Sequence, residues 1–312
     1  MRAIAVDKYG APPALMEVPD PHPGPGQVLI KVKAAGINPM DRHAADGGWK
    51  ARMPAVFPLI LGFDLAGVVE AVGEGAGKFT VGEEVYGQLK IAPLGSAGTY
   101  AEYVAVTEDA PLARIPRGLD AAVAAALPTA GVTALEIAET VEPLAGKTVL
   151  IVGAAGGIGS FVTQLAANAG GHLITVVRAD ANERMRAYGA AEMVDYTAGS
   201  VPDSVRRTHP DGIDVLIDLA SDADGFAALA SLVRAGGTAL TTRYVADIEA
   251  LASRKVAGVN FAVDMSSRSL ERIADAVVAG KIVAPPITLI KLDDVATLDG
   301  KAPSEGKTII IP

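Results

Sequence analysis

Hydrophobic and polar positions in the first third of the chain alternate in short runs. Val28-Leu29-Ile30-Lys31-Val32-Lys33 alternates from Leu29 onward, Gly67–Val72 is a second run, and Thr99–Val106 a third. A period of two marks a half-buried strand. Turn-forming clusters at Pro19–Gly26, Gly73–Gly77 and Gly95–Gly98 separate these runs, so the region predicts a small antiparallel domain of barrel type. The pattern changes near Leu119. Asp120 stands where an N-cap would open a helix at Ala121. Strands are then expected at 148–152, 172–177, 194–196, 214–218, 237–242 and 259–263, with helices at 159–169, 181–188 and 223–232 between them. Repeated strand–helix units predict a parallel, doubly wound sheet. A helix near 270–279 and strands at 287–290 and 307–311 follow and resemble the first region again. The expected organisation is α/β, with one domain built from 1–118 and 283–312 and a second from 119–282.

One stretch imitates a membrane span. Thr148–Val177 contains no Asp, Glu, Lys or Arg, but six glycines and the polar residues Ser160, Thr163, Gln164, Asn168 and His172 interrupt it. It reads as a buried strand–helix–strand unit rather than a span. The opening Met1–Lys8 is too short in its apolar part for a signal peptide, so the expectation is a soluble cytoplasmic protein with no membrane partner. Composition narrows the classes further. Hydrophobic residues make up 50% of the 312 and charged residues 20%, which excludes a disordered chain. The net charge of −9 argues against a nucleic-acid binder. The absence of cysteine excludes disulfides, thiolate metal sites and a cysteine nucleophile.

The strongest motif follows the apolar run Val149–Val152. Gly153-Ala154-Ala155-Gly156-Gly157-Ile158-Gly159 puts Ala154, Gly156 and Gly159 at the three key places of a G-x-G-x-x-G dinucleotide loop. Gly156 lets the backbone approach a pyrophosphate, Gly159 lets the helix pack on its strand, and first-turn amides, those of Gly157 and Ile158 included, face the anion. The next strand ends Val176-Val177-Arg178, with an arginine where NAD enzymes place an acid. A guanidinium pairs well with a 2′-phosphate, so Arg178 favours NADPH. Asp180 is the rival, as a displaced ribose ligand. Thr241-Thr242-Arg243-Tyr244 follows another strand of the sheet, so Thr241, Thr242 and Arg243 are candidates for the carboxamide end of the cofactor.

Several separated segments resemble one family in its order: Pro23–Ile30, Ala35-Gly36-Ile37-Asn38-Pro39-Met40-Asp41, Leu61–Val69, Leu127–Ala134, the glycine loop, and Glu305–Ile310. The family is the medium-chain dehydrogenase/reductase superfamily, in its zinc-independent quinone-oxidoreductase branch. The resemblance implies a GroES-like catalytic domain assembled from both chain ends, a Rossmann cofactor domain, and a homodimer joined at edge strands, with Val259–Val263 as the contributor here. Zinc-dependent alcohol dehydrogenases of the superfamily hold catalytic zinc with Cys, His and Cys. The matching positions here are Asn38, Phe63 and Thr129, the proton-relay hydroxyl falls at Met40, and Gly87–Ala101 has none of the structural-lobe cysteines. The four histidines, His22, His43, His172 and His209, show no ligand spacing, so no metal is expected.

Without a Lewis acid, an electron-poor acceptor is the easier substrate, since quinones and α,β-unsaturated carbonyls accept hydride and their oxyanions take a proton from water. The resemblance implies Asn38 and Thr133 as catalytic-site candidates. The alternatives are that Asn38 caps its own turn and that Thr133 bonds back to an upstream carbonyl. Asp41 is expected to serve local hydrogen bonding. Enoyl-thioester reductases of the superfamily carry a catalytic tyrosine eight residues after the matching aspartate; here that position is Trp49. An indole donates no usable proton, so Trp49 either stacks on a ring of the substrate or packs at the domain edge. The resulting expectation is an NADPH-dependent reductase of quinones or enones. The alternatives are an enoyl reductase of secondary, polyketide-type metabolism and a non-catalytic NADPH-binding structural or regulatory protein.

Overall fold

A computed structural model describes residues 1–90, 93–297 and 305–312. The chain forms two compact units. The first holds Met1–Val132 and Met265–Pro312, the second Thr133–Asp264. The first unit contains β1 (Arg2–Val6), β2 (Ala14–Glu17), β3 (Gln27–Gly36), α1 (Pro39–Ala45), β4 (Leu59–Ile60), β5 (Asp64–Val72), β6 (Glu84–Gln88), β7 (Tyr103–Thr107), β8 (Leu112–Arg114) and α2 (Ala121–Ala126). The second contains α3 (Thr133–Val141), β9 (Thr148–Val152), α4 (Gly157–Asn168), β10 (His172–Val177), α5 (Asn182–Ala187), β11 (Glu192–Asp195), α6 (Val201–Thr208), β12 (Ile213–Asp218), α7 (Ala223–Ala230), β13 (Val233–Thr241), α8 (Ile248–Ser253) and β14 (Ala257–Asn260). The first unit is completed by α9 (Ser267–Val278), β15 (Ile287–Lys291) and β16 (Lys307–Ile311).

The expected boundaries were 118/119 and 282/283; the compact units divide further inward, at 132/133 and 264/265. The reason is packing. Helix α2 lies on β3 and β5, and α9 lies on β8, so the first unit claims both helices. Asp120 caps α2 as anticipated, its side chain accepting from the Ala122 amide. Residues 298–304, part of the stretch assigned to this domain, and 91–92, part of the expected lobe position, lie outside the described residues.

In the first unit the main sheet runs β15-β16-β3-β5-β6-β8, with β7 also paired to β3, beside a smaller sheet β2-β1-β4. Alternation along β3 sends Val28, Ile30, Val32 and Ala34 inward while Lys31 and Lys33 stay in water. Val28, Ile30 and Val32 pack with Ile4, Leu65, Val69, Val85 and Ile310 into one core. Gly36 is needed for close approach: a Cβ there would lie 2.5 Å from the Ala125 carbonyl oxygen of α2 and 3.2 Å from Asp64 Cβ.

The second unit carries a parallel six-stranded sheet in the order β11-β10-β9-β12-β13-β14. Its central strands β9 and β12 are almost wholly buried, as expected where helices cover both faces. The charge-free stretch 148–177 is β9, α4 and β10 of this sheet. The described residues include one helical stretch apolar and long enough to cross a membrane, Ala121–Val141, and most of it is buried inside the protein. The expected last strand, 259–263, is shifted. The ladder to β13 pairs Ala257 through Asn260, after which the Phe261 amide bonds back to the Thr241 carbonyl and the strand ends.

Candidate functional site

The register of the parallel sheet aligns the strand ends of the second unit. Val152 pairs with Val176 and Asp218, Asp218 with Thr241, and Thr241 with Asn260. The glycine loop, Arg178, Leu219 and Thr242 therefore leave the same carboxyl edge, where the sheet order reverses and such sheets bind ligands. The left-handed turn falls on Gly153, at φ +79°, rather than on Ala154 in the first motif position. A Cβ on Gly159 would meet the Gly153 carbonyl oxygen at 2.2 Å and Ala154 Cα at 2.6 Å. Gly159 is thus a packing glycine. Gly156 is different. Its φ is −75°, and a Cβ would meet only the Gly153 oxygen at 3.4 Å, an ordinary contact. Neither backbone strain nor crowding inside the chain requires glycine there, so the space suits an external group. Gly156 is also the N-cap of α4 and offers no capping side chain. The first-turn amides of Gly157, Ile158 and Gly159 are left for an outside anion. These residues fit a dinucleotide pyrophosphate.

Around this loop, Arg178 is half-exposed and lies 3.4 Å from Asp180, so the two rival ribose candidates pair with each other. Arg184 on α5 donates to the Ala155 carbonyl of the loop at 3.5 Å, a second guanidinium that sequence reading missed. Asp195, at the end of β11, accepts from the Ala179 amide and from Thr197, which with Arg178 nearby hold its carboxyl below the ordinary range. Asp218 was also missed. One carboxylate oxygen accepts from the Ala220 and Ser221 amides, while the other is buried with no hydrogen-bond partner among the described residues. Thr241 is buried, and its hydroxyl accepts from the Arg243 amide, so its side chain is spent on shaping the turn. Thr242 is half-buried; Arg243 and Tyr244 are exposed. Thr133 is buried at the start of α3.

In the first unit the strand register builds a polar row across four neighbouring strands. Ile309 pairs with Gly36, which carries Lys307 opposite Asn38. Gly36 pairs with Asp64, and Asp64 with Gln88. Lys307 Nζ donates to Asn38 Oδ1 at 2.7 Å and to the Ile37 carbonyl at 2.9 Å. Asn38 Nδ2 donates to Asp64 Oδ2 at 2.9 Å. Asp64 also accepts from the Thr129 hydroxyl at 2.6 Å and the Thr129 amide at 3.0 Å, and Gln88 donates to Thr129 Oγ1 at 2.7 Å. Thr129 lies in a widened, π-type helical turn, Leu127–Val132. Burial raises the Asp64 carboxyl above the ordinary range, opposed by Lys307, and lowers the Lys307 ammonium, opposed by Asp64 and Asp41.

Asp41 branches from the same place. Its Oδ2 accepts from the Asn38 amide and from the Tyr100 hydroxyl, each at 2.6 Å. It thereby caps α1, the local role expected of it. Its Oδ1 is buried with no hydrogen-bond partner among the described residues, and burial pushes this carboxyl up to about 7. The side chain of Asn38 serves Lys307 and Asp64 and also its own turn, where Nδ2 donates to the Gly36 carbonyl at 3.3 Å and Asn38 stands as the N-cap of a capping box with Asp41. Trp49 is half-buried, with ring edges toward His43 at 5.4 Å and Phe63 at 5.9 Å.

Residues 24–117 match the family described as alcohol dehydrogenase GroES-like domain, and 157–247 the one described as zinc-binding dehydrogenase. The chain is 31% identical to the 2-methylene-furan-3-one reductase of Solanum lycopersicum, over all of this chain and 79% of that protein. It is 39% identical to the chloroplastic NADPH-dependent alkenal/one oxidoreductase of Arabidopsis thaliana, over 62% of this chain and 49% of that protein. The chain thus spans about half the length of that relative. The quinone oxidoreductase of Coxiella burnetii superposes with a TM-score of 0.87 at 26% identity, covering 100% of this chain and 99% of the other. The chain belongs to the medium-chain dehydrogenase/reductase superfamily, in its quinone-oxidoreductase-like branch. Within that superfamily, Asn38 and Thr129 stand where zinc-dependent members hold cysteines, and both are hydrogen-bonded to the one carboxylate of Asp64. Asp64, Gln88, Tyr100 and Lys307 escaped sequence reading as site residues. The available signal was a charge inside an apolar run: Asp64 in Leu61–Ala66 and Lys307 before Thr308-Ile309-Ile310.

Proposed function

We propose that this chain is an NADPH-dependent, zinc-independent reductase that delivers hydride to a quinone or an α,β-unsaturated carbonyl. The observation that carries the metal-free part is the polar row. Asn38 and Thr129 offer an amide and a hydroxyl, poor ligands for zinc, and both are engaged by Asp64 while the Lys307 ammonium occupies the other side of Asn38. A cation is already built into the place.

The reduced dinucleotide supplies the hydride when it is bound. Gly156 and the first-turn amides of α4 would hold its pyrophosphate, and the Thr242–Arg243 backbone its carboxamide end. Arg178 would hold the 2′-phosphate, with Arg184 adding positive charge at the loop. With the metal positions filled by hydrogen bonds, alignment supplies much of the rate. An acceptor that is already electron-poor needs no further polarisation, which favours quinones and enones over simple alcohols. The tomato and Arabidopsis relatives, named for enone-type substrates, support the same class. We also propose a homodimer joined through β14, one of the two edge strands of the second unit's sheet; a monomeric sedimentation profile would contradict it.

The test is an assay with NADPH deuterated at the transferable position against a panel of quinones and enones. Cofactor oxidation is expected with members of the panel, with deuterium on the β-carbon of a reduced enone. No cofactor oxidation with any acceptor would overturn the proposal.

A further inference from the structure

The histidines show no ligand spacing in sequence, yet the sheet of the second unit brings two of them to one carboxylate. His172 opens β10, Glu192 opens β11 and pairs with Ile174 of β10, and His209 follows the last residue of α6. His172 Nε2 lies 2.7 Å from Glu192 Oε1. His209 Nε2 lies 3.0 Å from the same oxygen and 3.2 Å from Oε2. One ligating atom from each residue falls within a 4.8 Å cluster. The side chains are 47%, 33% and 18% exposed for His172, Glu192 and His209, so solvent and ions reach them.

We propose that His172, Glu192 and His209 form a binding site for a divalent transition-metal ion of the zinc class. A tetrahedral ion with bonds of ~2.0–2.1 Å holds its donor atoms roughly 3.3 Å apart. To reach that value the His209–Glu192 separations, at 3.0 and 3.2 Å, need to open by roughly 0.1–0.3 Å and the His172–Glu192 separation, at 2.7 Å, by roughly 0.6 Å. Two imidazoles and a carboxylate suit zinc, copper or nickel better than magnesium or calcium, whose sites are built from oxygen. Three protein donors leave a fourth position for water. The carbonyl end of α6 beside His209 adds a partial negative charge.

The trio lies at the amino edge of the sheet. The glycine loop and Arg178 leave its carboxyl edge, about 20 Å away by the six-residue length of β10. It shares no residue with Asn38, Phe63 and Thr129, the positions where zinc-dependent relatives hold their catalytic ion, which belong to the first unit. Its role is therefore structural. β11 is an edge strand of four residues, and an ion shared by β10, β11 and α6 would pin that edge.

The experiment uses the full chain, stripped with a chelator and titrated with Zn²⁺ by calorimetry, with melting followed in parallel. Wild type should take up one ion per chain and melt higher with Zn²⁺ present. The His172→Gln/His209→Gln variant, with circular dichroism and NADPH binding unchanged, should lose the ion and the added stability. Should the double variant fold poorly, His172→Gln alone decides. That residue is nearly half exposed, and its loss should weaken binding on the order of tenfold or more while leaving the metal-free melt in place. Absence of Zn²⁺ uptake by wild type would overturn the proposal and leave the trio as a hydrogen-bonded strap. Equal uptake by the variants would overturn it too, because the ion would then be held elsewhere.

Discussion

Two glycines three residues apart should respond to the same substitution in opposite ways. At Gly156 the added methyl meets one chain atom, the Gly153 oxygen at 3.4 Å, and φ −75° is open to alanine. Alanine is a poorer N-cap than glycine by about 0.5 kcal/mol, and the stiffer unfolded chain offsets about as much. Gly156→Ala should therefore melt within ~2 °C of wild type. Its methyl, however, enters the space left for a pyrophosphate, and NADPH affinity should fall at least tenfold, about 1.4 kcal/mol. At Gly159 the methyl would sit 2.2 Å from the Gly153 oxygen and 2.6 Å from Ala154 Cα. Both are backbone atoms, so the loop itself must move. Overpacking of that kind costs about 1–3 kcal/mol, or roughly 3–10 °C in a domain of this size. Thermal melts of the unliganded proteins, with NADPH binding followed by fluorescence, separate the two effects. A Gly156→Ala variant that binds NADPH as tightly as wild type would refute the reasoning. So would one that is destabilised as much as Gly159→Ala.

Other outcomes follow from the two polar clusters. Arg178→Ala should raise KM for NADPH on the order of tenfold and leave KM for NADH unchanged, a modest value because the guanidinium is half-exposed and already paired with Asp180; an unchanged NADPH/NADH ratio rejects the 2′-phosphate assignment. Lys307→Met removes the ammonium from a buried row and should cost ~3–5 kcal/mol in a denaturant melt, with Lys307→Met/Asp64→Asn losing less than the two single variants together. Asp41 titrates near 7 when folded, above its ordinary 3.8, so the folded state holds the extra proton between those values. That contribution to stability is present at low pH and is lost as pH rises through about 7. Stability of wild type relative to Asp41→Asn should therefore fall between about pH 4 and pH 7, and a flat difference would show that Asp41 is ionised throughout.

The parallel sheet was largely legible because its signals are local. Val149–Val152, the glycine loop and the strand from His172 declare themselves by apolar runs and glycines, and β16 begins at Lys307 as expected. The short strands β2, β4, β6 and β8 gave too few alternations to register. Helix α1 was hidden by its Asn-Pro opening, which also reads as a turn. Of the site, the loop was readable and the polar row was not. Lys307 and Asn38 are 269 residues apart and meet only through the β16–β3 register. The same holds for His172 and His209, which separate strands and a helix bring to one glutamate. Composition reports which ligands are missing, but only tertiary register shows what occupies their places.

The measurement that bears most directly on a metal-free reductase is turnover before and after exhaustive chelation. Wild-type chain is assayed with NADPH and the best acceptor of the quinone and enone panel, well below its melting temperature. The rate should be unchanged by chelation and unchanged again when Zn²⁺ is restored, even if the melting temperature moves with the ion. Loss of turnover on chelation, recovered with Zn²⁺, would contradict the account.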